Sequence, residues 1–192
     1  MERQIYKGNH QNGEIEIIEE RSVFKNRYME IFNDDVLFPS GVKGTYIRAA
    51  SNNDMSIGVL PVTEEGRIVL IRTFRHGVRG WGYEIPKGEA LIGEKGEIAA
   101  RRELYEETGI TPEKLIYMGE LCESPAVFSG RMKCYIALNC QYAGEKEPED
   151  TEAISGTREF DAEEYLLGQD GCDFTDAVTQ LMVYKYMALR RK

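Results

Sequence analysis

Between Gly88 and Ile110 the chain reads GEALIGEKGEIAARRELYEETGI. Glycines bracket the first six residues, and the run from Glu94 to Thr108 has few turn formers and one internal glycine, Gly96, so the spacing predicts a loop feeding a helix that stops at Gly109. Residues three and four apart share a helix face, which sends Glu103, Glu106 and Glu107 the same way. Like charges on one face repel. A hard divalent cation reverses that sign, because carboxylate oxygens are the donors Mg2+ prefers and its remaining waters can be exchanged for phosphate oxygens. Arg102 lies four residues before Glu106 and can steady a carboxylate. Glu94, eight residues before Arg102, is placed to brace the junction of loop and helix.

A run such as RRELYEE also suits a solvated helix face, and acids alone would not decide between the two. The register decides. Gly88, Glu94, Arg102-Glu103-Leu104, Glu106-Glu107 and Gly109-Ile110 fill nine restricted positions over 23 residues, and this pattern resembles the Nudix hydrolase box. The resemblance implies hydrolysis of a nucleoside diphosphate linked to another moiety, with Mg2+ as cofactor and Mn2+ as the alternative. It also implies a mixed sheet between helices, an α+β protein of the α/β/α sandwich kind.

Further residues take roles from the same resemblance. Tyr83 to Lys87 (YEIPK) looks like the family's lead-in to the box. It makes Glu84 a substrate-site residue and the backbone carbonyl of Lys87 a metal ligand beside Glu103, Glu106 and Glu107. Lysine replaces the usual small residue there, and its side chain enters the pocket question. Ser124-Pro125 stands where ADP-ribose pyrophosphatases carry a serine-proline marker, with Ala126-Val127 in place of the usual double glycine. The general base is expected from the acidic loop, as Glu149 or Glu152. Arg72 and Arg75 leave an aliphatic strand toward an anionic substrate, and Phe24 or Tyr28 would stack on adenine. ADP-ribose would give AMP and ribose 5-phosphate. The rivals are GDP-mannose, ADP-glucose or another nucleotide sugar, and a silent nucleotide-binding protein, which the complete set of box acids disfavours.

The elements that must position these residues are legible from period and composition. The chain has 192 residues and a formal charge of −9, which argues against a nucleic-acid backbone as partner. Cys122, Cys134, Cys140 and Cys172 lack metal-ligand spacing and read as free thiols of a cytoplasmic protein. No apolar run suggests a membrane span. Residues 1–48 alternate polar and apolar side chains at 13–21 and 22–32, turn at Asn33-Asp34-Asp35, and resume at 44–49. Such short strands are marginal alone. They read as a separate region that pairs with the body of the subunit or with a second copy; the resemblance implies a homodimer in which this region contributes to the substrate site, leaving 49–192 as the catalytic domain. Within it, 55–61 and 67–73 form a hairpin. A loop begins at Thr111-Pro112, and strands follow at 115–121, 132–138 and 158–160. A brief helix ends near Gly168, and a last helix, 177–190, is capped by Asp173 or Thr175.

Overall fold

The computed structural model describes residues 5–53, 55–146, 152–168 and 171–191. The chain forms two compact units, one of Met1–Asn53 with Ser124–Gly130, the other of Asp54–Glu123 with Arg131–Lys192.

The first unit is a four-stranded antiparallel sheet of β1 (Glu16–Glu19), β2 (Ser22–Lys25), β3 (Met29–Leu37) and β4 (Lys43–Ser51). β3 pairs with β4 along its whole length and with β1 and β2 on its other edge. The turn expected at Asn33-Asp34-Asp35 is absent; these residues run through the middle of β3. The two aspartate side chains are held by cations distant in sequence. Asp34 takes Arg48 Nε at 2.9 Å, and Asp35 takes an Arg21 Nη at 2.5 Å. The boundary expected between 48 and 49 falls inside β4. Segment 124–130 joins this sheet: the Ala49 N–H donates to the Val127 carbonyl (2.7 Å), and the Ala49 carbonyl accepts from the Ser129 N–H (2.9 Å).

The second unit contains β5 (Ser56–Thr63), β6 (Ile68–Arg75), β7 (Gly80–Glu84), β8 (Lys87–Glu89), α1 (Gly96–Thr108), β9 (Ile110–Leu121), β10 (Met132–Tyr142), β11 (Ile154–Phe160), α2 (Ala162–Leu166) and α3 (Ala177–Arg190). Its sheet runs β11-β6-β5-β10-β9, with β7 on β6 and β8 on β5. The β10–β5 pair is parallel and the others antiparallel, so the sheet is mixed. Alternation along each strand sends apolar side chains to both faces. Ile57, Val59 and Val69 pack with Ala99, Ala100 and Leu104 of α1. Leu60, Leu70 and Ile136 pack with Tyr165 of α2 and Met182 and Val183 of α3. The result is the α/β/α sandwich expected. No helix among the described residues is long and apolar enough to cross a membrane.

Several boundaries differ from the sequence reading. β9 begins at Ile110 with no loop at Thr111-Pro112, because Gly109 reverses the chain at once with φ 71° and its N–H on the Tyr105 carbonyl. Pro112 is tolerated because β9 is an edge strand. β11 starts at Ile154, four residues before the strand expected at Arg158. The cap of α3 is Asp176, which accepts the Thr179 N–H at 2.9 Å, while Asp173 turns instead to the Trp81 N–H.

A methyl group at Gly109 would collide with the Gly144 carbonyl oxygen as well as strain a left-handed backbone. Gly109→Ala is expected to lower unfolding free energy by at least ~1–2 kcal/mol, read by urea denaturation.

Candidate active site

α1 places its acids by its own period, and the surroundings then treat them differently. Glu103 and Glu107, one turn apart, face the sheet and are 6% and 3% exposed. Glu106 is rotated toward solvent, and its side chain keeps 36% exposure. Gly88 on β8 is what lets Glu103 in, since a Cβ there would overlap the Glu103 carboxylate. Glu107 accepts the Lys87 N–H at 3.2 Å, so the backbone leading into the box holds the second buried acid.

Arg102 ties the group together. Nη1 donates to Glu103 (2.9 Å) and Glu106 (2.8 Å), Nε and Nη2 donate to Glu94 (3.2 and 3.0 Å), and Nη2 also reaches the Glu89 carbonyl (2.9 Å). One guanidinium therefore serves three carboxylates, where the sequence spacing had suggested one. Glu94 also accepts the Leu91 N–H at 2.9 Å, which makes it a brace of the loop, as expected. Hydrogen bonds from Arg102 and then from Leu91 hold the Glu94 carboxyl below its ordinary pKa.

Burial acts the other way on the inner pair. It pushes Glu103 up to about 7 against the pull of Arg102. It pushes Glu107 up to about 9, with Glu152 and Glu103 adding repulsion. Among the described residues, no three His, Cys, Asp or Glu side chains are gathered as a ready metal cage. The donor set nevertheless fits a hard divalent cation: two carboxylates are buried where ionisation is unfavourable without an added positive charge, and every donor is oxygen.

Beside this group a cavity of about 520 Å3 opens among the β6–β7 hairpin, β8 and the start of α3. A row of alternating charges forms one wall. Arg75 donates to Glu84 through Nε (3.0 Å) and Nη2 (2.6 Å), Glu84 accepts Lys87 Nζ (2.8 Å), and Lys87 Nζ reaches Asp176 (3.1 Å). Glu84 is 1% exposed. The bonds from Glu84 hold the Arg75 pKa above its ordinary value despite burial. Burial alone would raise Asp176, but Lys87 and Thr179 outweigh it and keep it low. Thr179 completes the joint, donating its hydroxyl to Asp176 (2.6 Å) and accepting the Ile85 N–H (3.0 Å).

The structure thus brings together Lys87, Glu103, Glu107, Arg102, Glu106, Glu84 and Arg75. Glu152 lies near enough to Glu103 and Glu107 to raise both. Glu149 lies outside the described residues. Arg72 is not with Arg75: strand alternation turns it to the opposite hairpin face, where it stacks over Trp81 at 4.5 Å. Phe24, Tyr28, Ser124 and Pro125 belong to the first unit, where Phe24 and Tyr28 are about half exposed. Cys122 is a free, exposed thiol. The residues missed from sequence are Asp176 and Thr179; an acid immediately before the apolar run of α3 was the available cap signal.

The sequence family described as the NUDIX domain matches residues 52–178, and the chain belongs to that family. It is therefore a hydrolase of the Nudix type, acting on a pyrophosphate linkage in a nucleotide derivative. It is 28% identical over 173 residues to an ADP-ribose pyrophosphatase of Bacillus subtilis (strain 168), spanning 90% of this chain and 92% of that one. It is 27% identical over 142 residues to the ADP compounds hydrolase NudE of Escherichia coli (strain K12), spanning 74% and 75%. Over 120 residues it is 29% identical to a methanol dehydrogenase activator of Bacillus methanolicus, spanning 62% and 64%. Among solved structures, that of an ADP compounds hydrolase superposes with a TM-score of 0.75 at 22% identity over 92% of this chain and 95% of that one, a likeness of fold.

The buried acids predict a pH dependence. An unfolded glutamate releases its proton near 4.5, while folded Glu107 keeps it up to about 9 and Glu103 up to about 7. The folded state then binds more protons between those limits, so stability is greatest below pH 4.5 for these groups and falls as pH rises. The metal-free protein should melt at a lower temperature at pH 8 than at pH 5.5. Glu107→Gln should flatten that slope by up to ~1.4 kcal/mol per pH unit. A melting temperature in EDTA that is identical at both pH values would contradict the assignment.

Proposed function

We propose that the chain hydrolyses the diphosphate of ADP-ribose to AMP and ribose 5-phosphate, with Mg2+ as cofactor and Mn2+ able to replace it. The observation that carries this reading is the pair of buried carboxylates, Glu103 and Glu107, packed against Gly88 and the Lys87 N–H beside a cavity whose charged wall includes Arg75 and Lys87. The 28% identity to an ADP-ribose pyrophosphatase across nine-tenths of the chain supports the substrate.

Glu103, Glu107, Glu106 and the Lys87 carbonyl would hold the divalent ion, which supplies neutralising charge across the diphosphate and acidifies water at the site. Arg102 positions Glu103 and Glu106 for that task. Arg75, fixed by Glu84, draws the substrate's anionic oxygens into the cavity and offsets charge that grows as the bridging P–O bond breaks. A loop glutamate, Glu152 or Glu149, accepts a proton from the attacking water. The new P–O bond forms from that water, and the second phosphate leaves with the bridging oxygen.

A broader preference for ADP-linked compounds is the second reading. It is favoured by the relative named as an ADP compounds hydrolase and by the lysine at position 87, where the resemblance expects a small residue.

The N-terminal sheet is proposed to pair two copies of the chain. Val23, Phe24, Val42 and Ile47 are each more than half exposed in that unit, more apolar surface than a solitary small sheet should carry. The protein is proposed to act in the cytoplasm on a small nucleotide sugar.

Three measurements test these readings. With Mg2+ and a panel of ADP-ribose, ADP-glucose, GDP-mannose, NADH and nucleoside triphosphates, ADP-ribose should show the highest kcat/KM. Glu107→Gln should reduce turnover at least a hundredfold with the fold intact by circular dichroism, and turnover above half of normal would refute the role of Glu107. Sedimentation at micromolar concentration should give twice the 21.9 kDa chain mass, and a monomer would overturn the pairing.

A further inference from the structure

The side chain of Lys87 needs explanation. It occupies the position just before Gly88, its side chain is 11% exposed, and it projects into the cavity instead of lying along the strand to solvent. An ammonium group so buried is costly unless paired, and here two carboxylates hold it. What matters is which hydrogen-bonding groups the row leaves over.

Glu84 spends both oxygens on Arg75 and one of them also on Lys87. Asp176 Oδ2 is taken by Lys87, the Thr179 N–H and the Thr179 hydroxyl, leaving Oδ1. The donors are less fully used. Among the described residues, Lys87 has two partners for its three N–H bonds, and Arg75 makes no bond through Nη1. The wall therefore presents surplus donors from two fixed cations. Glu89 and Glu123 lie elsewhere on the lining. A ligand complementary to this wall is acceptor-rich and anionic. Phosphoryl oxygens meet that description better than sugar hydroxyls, which bring a proton with every oxygen.

We infer that the Lys87 ammonium is a binding residue for the substrate's diphosphate, acting as a pair with Arg75. This rests on the hydrolase reading above and adds to it a specificity residue carried by the side chain, separate from any role of the Lys87 carbonyl. Glu84 holds the ammonium in its direction before substrate arrives, so little is lost in ordering it on binding, while Asp176 competes with the ligand for its charge. The contact serves substrate and transition state alike, so its removal acts on KM more than on kcat.

The alternative is a strut: Lys87 would merely tie β8 to the cap of α3 through Asp176. Two variants separate these roles. Lys87→Met keeps the length and apolar stem and removes the charge; Asp176→Asn keeps Lys87 and an oxygen for the cap while removing the anion that neutralises it. Binding of methylenediphosphonate and of α,β-methylene ADP, each with Mg2+, is measured by calorimetry alongside KM and kcat for ADP-ribose. Loss of one charge-assisted hydrogen bond predicts Kd and KM about tenfold or more higher in Lys87→Met, with kcat changed less. Asp176→Asn should bind the diphosphonates as well as the wild type or more tightly. Equal weakening in both variants, or an unchanged Kd in Lys87→Met, would overturn the inference. The hydrolase reading fails separately: it fails if wild-type protein cleaves no nucleoside diphosphate derivative, even where Lys87→Met weakens methylenediphosphonate as expected.

Discussion

Repulsion among carboxylates is the constraint around which this molecule is arranged. Three glutamates within five residues of α1 could not share the interior side of a helix without compensation. Arg102 supplies part of it by spanning Glu94, Glu103 and Glu106. The remainder is unmet inside the protein: Glu103 and Glu107 sit where burial favours their neutral forms. The site is held in an electrostatically unfavourable state by packing of Ala99, Ala100 and Leu104 against the sheet. Apolar burial on the adjoining stripe of the same helix, roughly 25 cal/mol per Å2, is what opposes that cost.

Close backbone approach is the second requirement. Gly88 has no side chain because the Glu103 carboxylate occupies its place. β8 is three residues long, paired to β5, and presents the Lys87 N–H to Glu107. The lead-in strand thus does in backbone what Arg102 does with a side chain. α3 and its cap reach the same strand and the residues leading into it from the other face of the sheet, through Asp176 on Lys87 and Thr179 on the Ile85 N–H. The two helical layers therefore meet chemically at one short strand.

The first unit is governed by different forces. Its β3 carries Asn33, Asp34 and Asp35 through a strand because Arg48 and Arg21 pair with the acids. It also takes segment 124–130 out of the chain of the second unit and bonds it to β4. The serine-proline segment and the aromatic residues Phe24 and Tyr28 consequently belong to one body, although a hundred residues separate them.

Much of this was legible in the residues themselves. Helical period put Glu103 and Glu107 on one face, Gly109 ended the helix, short apolar runs marked β5, β6 and β10, and the box register named the family, because each depends on neighbours within a turn or two. Other features were not legible. Glu106 parting from its companions, Arg72 facing away from Arg75, Arg102 holding three acids, and Lys87 meeting Asp176 each depend on which surface lies opposite. Local spacing sets direction along one element; only the packed fold sets what stands there to accept a charge, and burial then decides whether that charge is favoured.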